Sequence, residues 1–325
     1  MESLTGNPFA SLLESKGRVL LDGGLATALE EAGHGLDTEL WSARLLKDDP
    51  DAIRDVHSAY LRAGADCITT ATYQASFPGF LAAGMGEQEG EGLFRRASEL
   101  ALEAIERWAD ELPDGEGQDR GSPSRLPLVA ASVGPYGAWL ADGSEYDGQY
   151  GVEAEALERF HARRFEILAE SGVDLLACET VPSALEVRVL LRLLDRHPDA
   201  WAWISVSCCD GRHLWDGTAI EEVAEVCHAQ ARVAAVGVNC TDPVYLPELV
   251  ARITAVTDLP VIAYPNSGET YEAGTRSWTG DHSGWLEGVR GALSAGARIV
   301  GGCCRIGPEQ IAQLRETLDR EDWSW

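Results

Sequence analysis

The sequence predicts an α/β fold of one domain spanning 1–325, a closed (β/α)8 barrel of the TIM type. Three observations lead there. A short β-branched run recurs eight times, at 18–22, 66–72, 128–133, 173–179, 202–207, 233–240, 260–265 and 298–303. Each run is almost continuously apolar, the composition of parallel strands covered on both faces. Helical periodicity fills the segments between them, and strands alternating with helices build a parallel sheet wrapped in helices. An open doubly wound sheet shares this alternation, because closure leaves no mark on a sequence.

The clearest helix is 49–63. Asp49 caps it, Pro50 suits the first helical position, and Ile53, Val56, Tyr60 and Ala63 return at helical spacing before Gly64 ends the run. Acid-rich segments of the same kind are expected at 87–111, 153–171, 183–197, 220–230 and 245–256, with a last one at 308–318. A helix-like stretch also follows Gly24. The segment 113–125 differs: rich in Gly, Pro, Ser and charge, it has nothing to pack a core, and it reads as a mobile surface loop rather than a domain boundary.

Composition narrows the function classes. Hydrophobic residues make up 45% and charged residues 24%, ordinary for a globular enzyme and too apolar for a disordered chain. With 26 Lys and Arg against 53 Asp and Glu, the formal charge is −27, a field that repels phosphate backbones and anionic lipids. Small molecules, not nucleic acid or membrane, are therefore the expected partners. No window approaches the roughly 18 consecutive apolar residues of a membrane span, and residues 1–10 lack the basic start and apolar middle of a signal peptide. A cytoplasmic protein, monomeric or a small homo-oligomer, is expected. In that setting the 8 cysteines read as buried thiols, metal ligands or redox groups rather than a disulfide framework.

A (β/α)8 barrel carries its chemistry at the C-terminal ends of its strands. Polar residues expected there are Asp22, Gly23 and Gly24 after the first run, Thr70, Thr72 and Tyr73 after the second, and Gly134, Pro135 and Tyr136 after the third. Cys178, Glu179 and Thr180 follow the fourth, Asn239 and Cys240 the sixth, Tyr264 and Asn266 the seventh, and Gly301 to Arg305 the eighth. Cys240, Cys303 and Cys304 thus converge on one rim. Adjacent cysteines on a buried strand can be small hydrophobes only, but a third on another strand end makes a ligand set. Three thiolates select a soft or borderline ion, Zn²⁺ foremost, and leave its fourth tetrahedral position open, as catalytic zinc requires. Cys208 and Cys209 lack an obvious third partner and are expected to pack the core, as are Cys67, Cys178 and Cys227. His34, His57, His161 and His228 fall on helices or loops, where solvated or capping roles are expected.

Several segments together resemble the zinc-dependent homocysteine S-methyltransferases. They are Leu21-Asp22-Gly23-Gly24, Leu40-Trp41-Ser42-Ala43, the run from Thr70 to Ser76, the run from Ser132 to Gly137 continuing through Ala141 to Tyr146, Val238-Asn239-Cys240, and Gly301-Gly302-Cys303-Cys304-Arg305. They span nearly the whole chain, in order, and look most like the members that use S-methylmethionine. The chain stops soon after the last strand, without room for the cobalamin and folate modules of the large methionine synthases or the long C-terminal extension of the betaine enzymes.

The resemblance implies transfer of a methyl group from S-methylmethionine, or S-adenosylmethionine, to zinc-bound homocysteine thiolate, giving methionine, with one Zn²⁺ per chain. It assigns Asp22 and Glu179 to the homocysteine amine, while the amides around Gly23, Gly24 and Leu25 could hold its carboxylate. Asp22 could instead cap the following segment. A sulfonium donor calls for aromatic faces, and Trp41, Tyr73 and Tyr136 lie in matching segments. Asn239 completes the substrate-facing set. No general acid is required, since the group that leaves is a neutral thioether. A betaine-dependent enzyme would use the same aromatics. Two other classes compete: a zinc hydrolase, for which three thiolates activate water poorly, and a non-catalytic thiol-rich metal-binding protein, which would hold several metals and need neither Asp22 nor Glu179.

Overall fold

The structure, a computed structural model, describes residues 6–36, 41–112, 126–140, 143–144, 147–272, 277–279 and 284–320, with backbone alone at 41–43, 270–272 and 277–279. The expected loop 113–125 and the side chain of Trp41 lie outside the described residues. The strands are β1 (Val19–Leu20), β2 (Cys67–Thr69), β3 (Leu128–Val133), β4 (Leu175–Val181), β5 (Ala202–Val206), β6 (Val233–Asn239), β7 (Val261–Tyr264), β8 (Thr270–Glu272), β9 (Ser277–Thr279) and β10 (Ala297–Val300). Eight of them form one parallel sheet in the order β1-β10-β7-β6-β5-β4-β3-β2. A parallel bridge between Leu21 and Cys67 joins its two ends, and the Asp66 amide donates to Leu20 O at 2.6 Å, so the sheet closes. Each of the eight sequence runs overlaps one barrel strand. β8 and β9 make an antiparallel hairpin within the β7–β10 connection.

Strand register sorts the apolar residues into two cores, because alternate side chains point to opposite faces. Leu128 and Ala130 of β3, Leu175 and Ala177 of β4, Trp203 of β5 and Ile262 of β7 fill the barrel interior. Val129, Ala131, Leu176, Cys178, Ile204 and Ala263, one residue out of step, face the surrounding helices. Helix Ala10–Lys16 closes the N-terminal end, the floor: Phe9, Leu12 and Leu13 join the interior core, and the Phe9 ring lies 5.9 Å from that of Trp203.

The helix at 49–63 forms as Pro50–Arg62, with the Asp49 side chain accepting from the Ala52 amide, and 87–111 forms as Glu87–Glu111. Helix Trp285–Ser294 carries little sequence signal, since Gly288 and Gly291 interrupt its periodicity. Both glycines are needed for close packing: a Cβ on Gly288 would sit 2.6 Å from Pro243 Cβ, and one on Gly291 2.5 Å from Pro247 Cγ. Two expectations are corrected. His57 and His161 are fully buried, not solvated, because helices Pro50–Arg62 and Ala154–Ala169 turn those positions toward the sheet. Cys209 is exposed while Cys208 is buried, as neighbours on an extended segment must point opposite ways. No described helix is long and apolar enough to cross a membrane.

Candidate active site

Moving up the interior positions of the strands, apolar residues give way to polar ones at the C-terminal mouth. Ser132 follows Leu128 and Ala130, Glu179 follows Leu175 and Ala177, Ser205 follows Trp203, and Tyr264 follows Ile262. The Ser132 hydroxyl donates to Glu179 Oε1, and the Tyr264 hydroxyl donates to Glu179 Oε2 at 3.0 Å. Tyr264 Oη also accepts from Trp203 Nε1 at 2.9 Å and shares a 2.5 Å bond with Ser205 Oγ. Because the single phenol proton goes to the Glu179 carboxylate, the Ser205 hydroxyl is left as the donor of that bond. Burial, at 8% exposure, still pushes the Glu179 carboxyl up to about 7, against the two hydroxyls that favour its charge.

Asp22 stands at the end of β1. Thr69 holds it with its amide, 2.7 Å to Oδ2, and its hydroxyl, 3.0 Å to the same atom. Burial pushes this carboxyl up to about 8, with a contribution from the negative charge of Glu179. The helix cap considered for Asp22 does not form: its side-chain bonds go to Thr69, and helix Leu25–Glu31 has Gly24 at its N-cap. The glycines here serve close approach. A Cβ on Gly23 would lie 2.3 Å from Ile306 O, and one on Gly24 2.7 Å from Cys303 O, so the chain after β1 presses on the turn after β10. The Gly24 amide is committed to Ile306 O at 2.8 Å.

Cys240, Cys303 and Cys304 come together as expected, their three Sγ atoms within 4.8 Å of one another and Cys240 Sγ 3.5 Å from Cys304 Sγ. They are the only group of three or more metal-ligating side chains among the described residues. Backbone bonds fix them: Cys240 N to Tyr264 O at 3.2 Å, Cys303 N to Pro265 O at 2.8 Å, and Ser267 N to Cys304 O at 3.1 Å. The neighbouring Cys240 and Cys304 thiols, together with burial, hold Cys303 well above the ordinary thiol range.

Asn239 ties this cluster to β4. Its side chain accepts from the Thr180 amide at 2.7 Å, donates to Thr180 Oγ1 at 2.7 Å, and directs the same amide group at Cys303 Sγ, 3.8 Å away. Thr180, Cys240 and Arg305 have φ of 58°, 47° and 68°, and among the described residues they are the only non-glycines with positive φ. Such backbone costs on the order of 1–3 kcal/mol per residue and persists where neighbours over-determine it.

Tyr73 is half-buried on the loop after β2, and Tyr136 is half-buried at the start of the short helix Tyr136–Leu140 in the connection after β3. A Cβ on Gly134 would lie 2.4 Å from Tyr73 O and 2.8 Å from its ring, so Tyr73 rests on the end of β3. The Tyr136 ring packs with Trp139, Tyr150 and Phe160 at 5.2, 5.4 and 5.0 Å between centroids. Sequence reasoning missed Thr69, Ser132, Ser205 and the role of Tyr264. The signal available was one polar residue at the last inward position of each strand.

A family model described as homocysteine S-methyltransferase matches residues 19–318. Homocysteine S-methyltransferase YbgG of Bacillus subtilis is 41% identical, covering 95% of this chain and 96% of the relative. Homocysteine S-methyltransferase of Escherichia coli is 42% identical, covering 95% and 98%. The crystal structure of the homocysteine methyltransferase MmuM from Escherichia coli, metallated form, superposes with a TM-score of 0.85 at 40% identity, covering 96% of this chain and 100% of that one.

Proposed function

The chain belongs to the homocysteine S-methyltransferase family, and on that premise we propose that Cys240, Cys303 and Cys304 hold one Zn²⁺ and that S-methylmethionine is the methyl donor. The observation that carries the metal is the thiol cluster. Tetrahedral zinc with Zn–S near 2.3 Å sets its sulfurs about 3.8 Å apart, and here one pair is 3.5 Å apart with all three sulfurs within 4.8 Å, so only small side-chain adjustments are needed to match. When bound, the ion would ionise a thiol that is mostly protonated at neutral pH and fix the position of its sulfur.

The protein's own residues do the rest. Asp22 and Glu179, both pushed upward chiefly by burial, become carboxylates as an ammonium enters between them, which anchors the amino-acid end of homocysteine. The Gly23 and Leu25 amides lie beside the engaged Gly24 amide as donors for its carboxylate. Asn239 holds Cys303 and the Thr180 turn in place. Tyr73 and Tyr136 offer π faces to a sulfonium, which the net charge of −27 also attracts. The homocysteine sulfur then attacks the donor methyl carbon in line. A new S–CH₃ bond forms as the donor C–S bond breaks, and the electron pair of the broken bond stays on the departing neutral thioether.

The test is metal analysis together with methionine formation from homocysteine, offering S-methylmethionine, S-adenosylmethionine, betaine and a methylated folate separately at equal concentration. About one zinc per chain and the highest kcat/KM with S-methylmethionine are expected. A higher kcat/KM with betaine or the folate overturns the donor. Full activity in metal-free protein overturns the zinc.

A further inference from the structure

We propose that His161, Arg164 and Glu186, buried behind the sheet, form a clamp that positions the connections carrying Tyr73 and Tyr136, and so act as positioning residues for the methyl donor. The proposal rests on the reading of those tyrosines as donor contacts. His161 and Arg164 lie on helix Ala154–Ala169 and Glu186 on helix Ala184–Leu194, with exposures of 0%, 1% and 0%.

Among the described residues, every side-chain hydrogen bond that leaves this trio ends on the connections after β2 and β3. Arg164 Nη1 donates to Ala75 O at 3.0 Å, on the loop after β2, and Arg164 Nη2 donates to Gly134 O, on the loop after β3. Glu186 Oε1 accepts from the Tyr136 amide at 2.6 Å. Gly134 is the residue on which Tyr73 rests, and Phe160, part of the Tyr136 ring cluster, lies 4.6 Å beneath Arg164 Cζ.

His161 joins the two charges. Arg164 can only donate, so its 2.8 Å contact with His161 Nδ1 makes that nitrogen the acceptor, and Nε2 donates to Glu186 Oε1 at 2.8 Å. The imidazole is thereby fixed in one neutral tautomer, and burial, aided by the Arg164 charge, pushes its pKa down to about 4. Glu186 Oε2 and Arg164 Nε are buried without a hydrogen-bond partner among the described residues. Two buried charges joined only through an imidazole, with bonds left unfilled, stabilise poorly, and apolar replacements of similar volume often serve stability as well or better. What such replacements cannot do is grip Ala75 O, Gly134 O and the Tyr136 amide together.

The test compares Glu186→Leu, which removes the acceptor, with Glu186→Gln, which keeps it, in the full-length metallated enzyme with S-methylmethionine as donor. Glu186→Leu is expected to raise donor KM by about ten-fold or more while homocysteine KM stays within about two-fold, since a displaced loop costs only the ligand it positions. Hydrogen exchange across 134–140 should quicken about ten-fold, with β4 and β6 unchanged, and Glu186→Gln should restore most of both. Should Glu186→Leu fail to fold, the double variant Arg164→Met/Glu186→Leu, which removes both charges, replaces it. Exchange at 134–140 identical to that of the parent enzyme, or equal rises in both KM values, overturns the clamp. Lack of turnover by the parent enzyme with any sulfonium sinks the donor reading instead and leaves hydrogen exchange to decide the clamp.

Discussion

Buried carboxylates sit at both ends of the barrel, and their partners differ in kind. At the floor, Asp66, 3% exposed, receives Lys16 Nζ at 2.5 Å, Arg315 Nη2 at 2.6 Å and the Leu20 amide at 2.8 Å. At the mouth, Asp22 and Glu179, 5% and 8% exposed, are met by amide and hydroxyl donors, and among the described residues no Lys, Arg or His is ion-paired with either. The floor carboxylate is neutralised by the chain itself and serves stability. Those at the mouth are pushed up to about 8 and about 7, because no cation among the described residues offsets the cost of their burial. A cavity of about 470 Å³ opens at the floor beside Lys16, Asp66 and Arg315. Strained backbone follows the chemistry: Thr180, Cys240 and Arg305 all stand at strand ends of the mouth.

The largest effect that sharpens this contrast is expected from Cys303→Ala. Groups one contact removed from a metal are worth about 10–100-fold in affinity or activity, so loss of a ligand should cost more than that in methyl transfer while the thermal midpoint barely moves. Full zinc occupancy in this variant would remove the metal assignment. Next come Glu179→Gln and Asp66→Asn, taken together. Glu179→Gln should raise homocysteine KM by an amount equivalent to roughly 2–5 kcal/mol, the cost of deleting one side of a buried charged contact, with stability unchanged or improved. Asp66→Asn takes from Lys16 and Arg315 the buried anion they share, leaving Arg315 only its exposed ion-pair partner Asp319 among the described residues, and should lose about 1–3 kcal/mol of stability at unchanged KM. If both variants lowered stability and raised KM alike, the two ends of the barrel would not differ as argued.

Tyr264→Phe should be milder. It deletes one hydrogen bond to a carboxylate, worth about 2 kcal/mol or roughly 30-fold in homocysteine KM, and an unaltered KM would mean that Tyr264 does not orient Glu179. The smallest effect is a pH slope. His57 is fully buried, both ring nitrogens lack a partner among the described residues, and burial pushes its pKa down to about 4. The unfolded chain therefore binds this proton first. Stability is complete above about pH 6.5 and declines as pH falls toward 4, by about 1.4 kcal/mol at pH 5.5. Asp22 and Glu179, raised in the fold, act in the opposite sense over the same window, so denaturant unfolding should compare the parent with His57→Leu. A flatter profile is expected in the variant, and an identical one would show that His57 titrates normally.

What the sequence by itself determined was local. Eight apolar runs, the Asp49-Pro50 start of a helix, and cysteines placed at the ends of two of those runs need no knowledge of distant neighbours. Alternation of side chains carries Ser132, Glu179 and Tyr264 to the top of the interior once the strands exist. Tertiary structure alone decided the rest. Closure of the sheet depends on Leu21 meeting Cys67, and Glu179 acquires its setting only because β3, β5 and β7 bring Ser132, Ser205 and Tyr264 around it. Helix Trp285–Ser294 hides behind two glycines whose purpose is visible only against Pro243 and Pro247. The burial of His57 and His161 and the exposure of Cys209 were equally out of reach, since each depends on which face of an element meets the sheet. Spacing along the chain records what a segment can form, whereas pKa, partner and exposure are set by residues that only folding brings near.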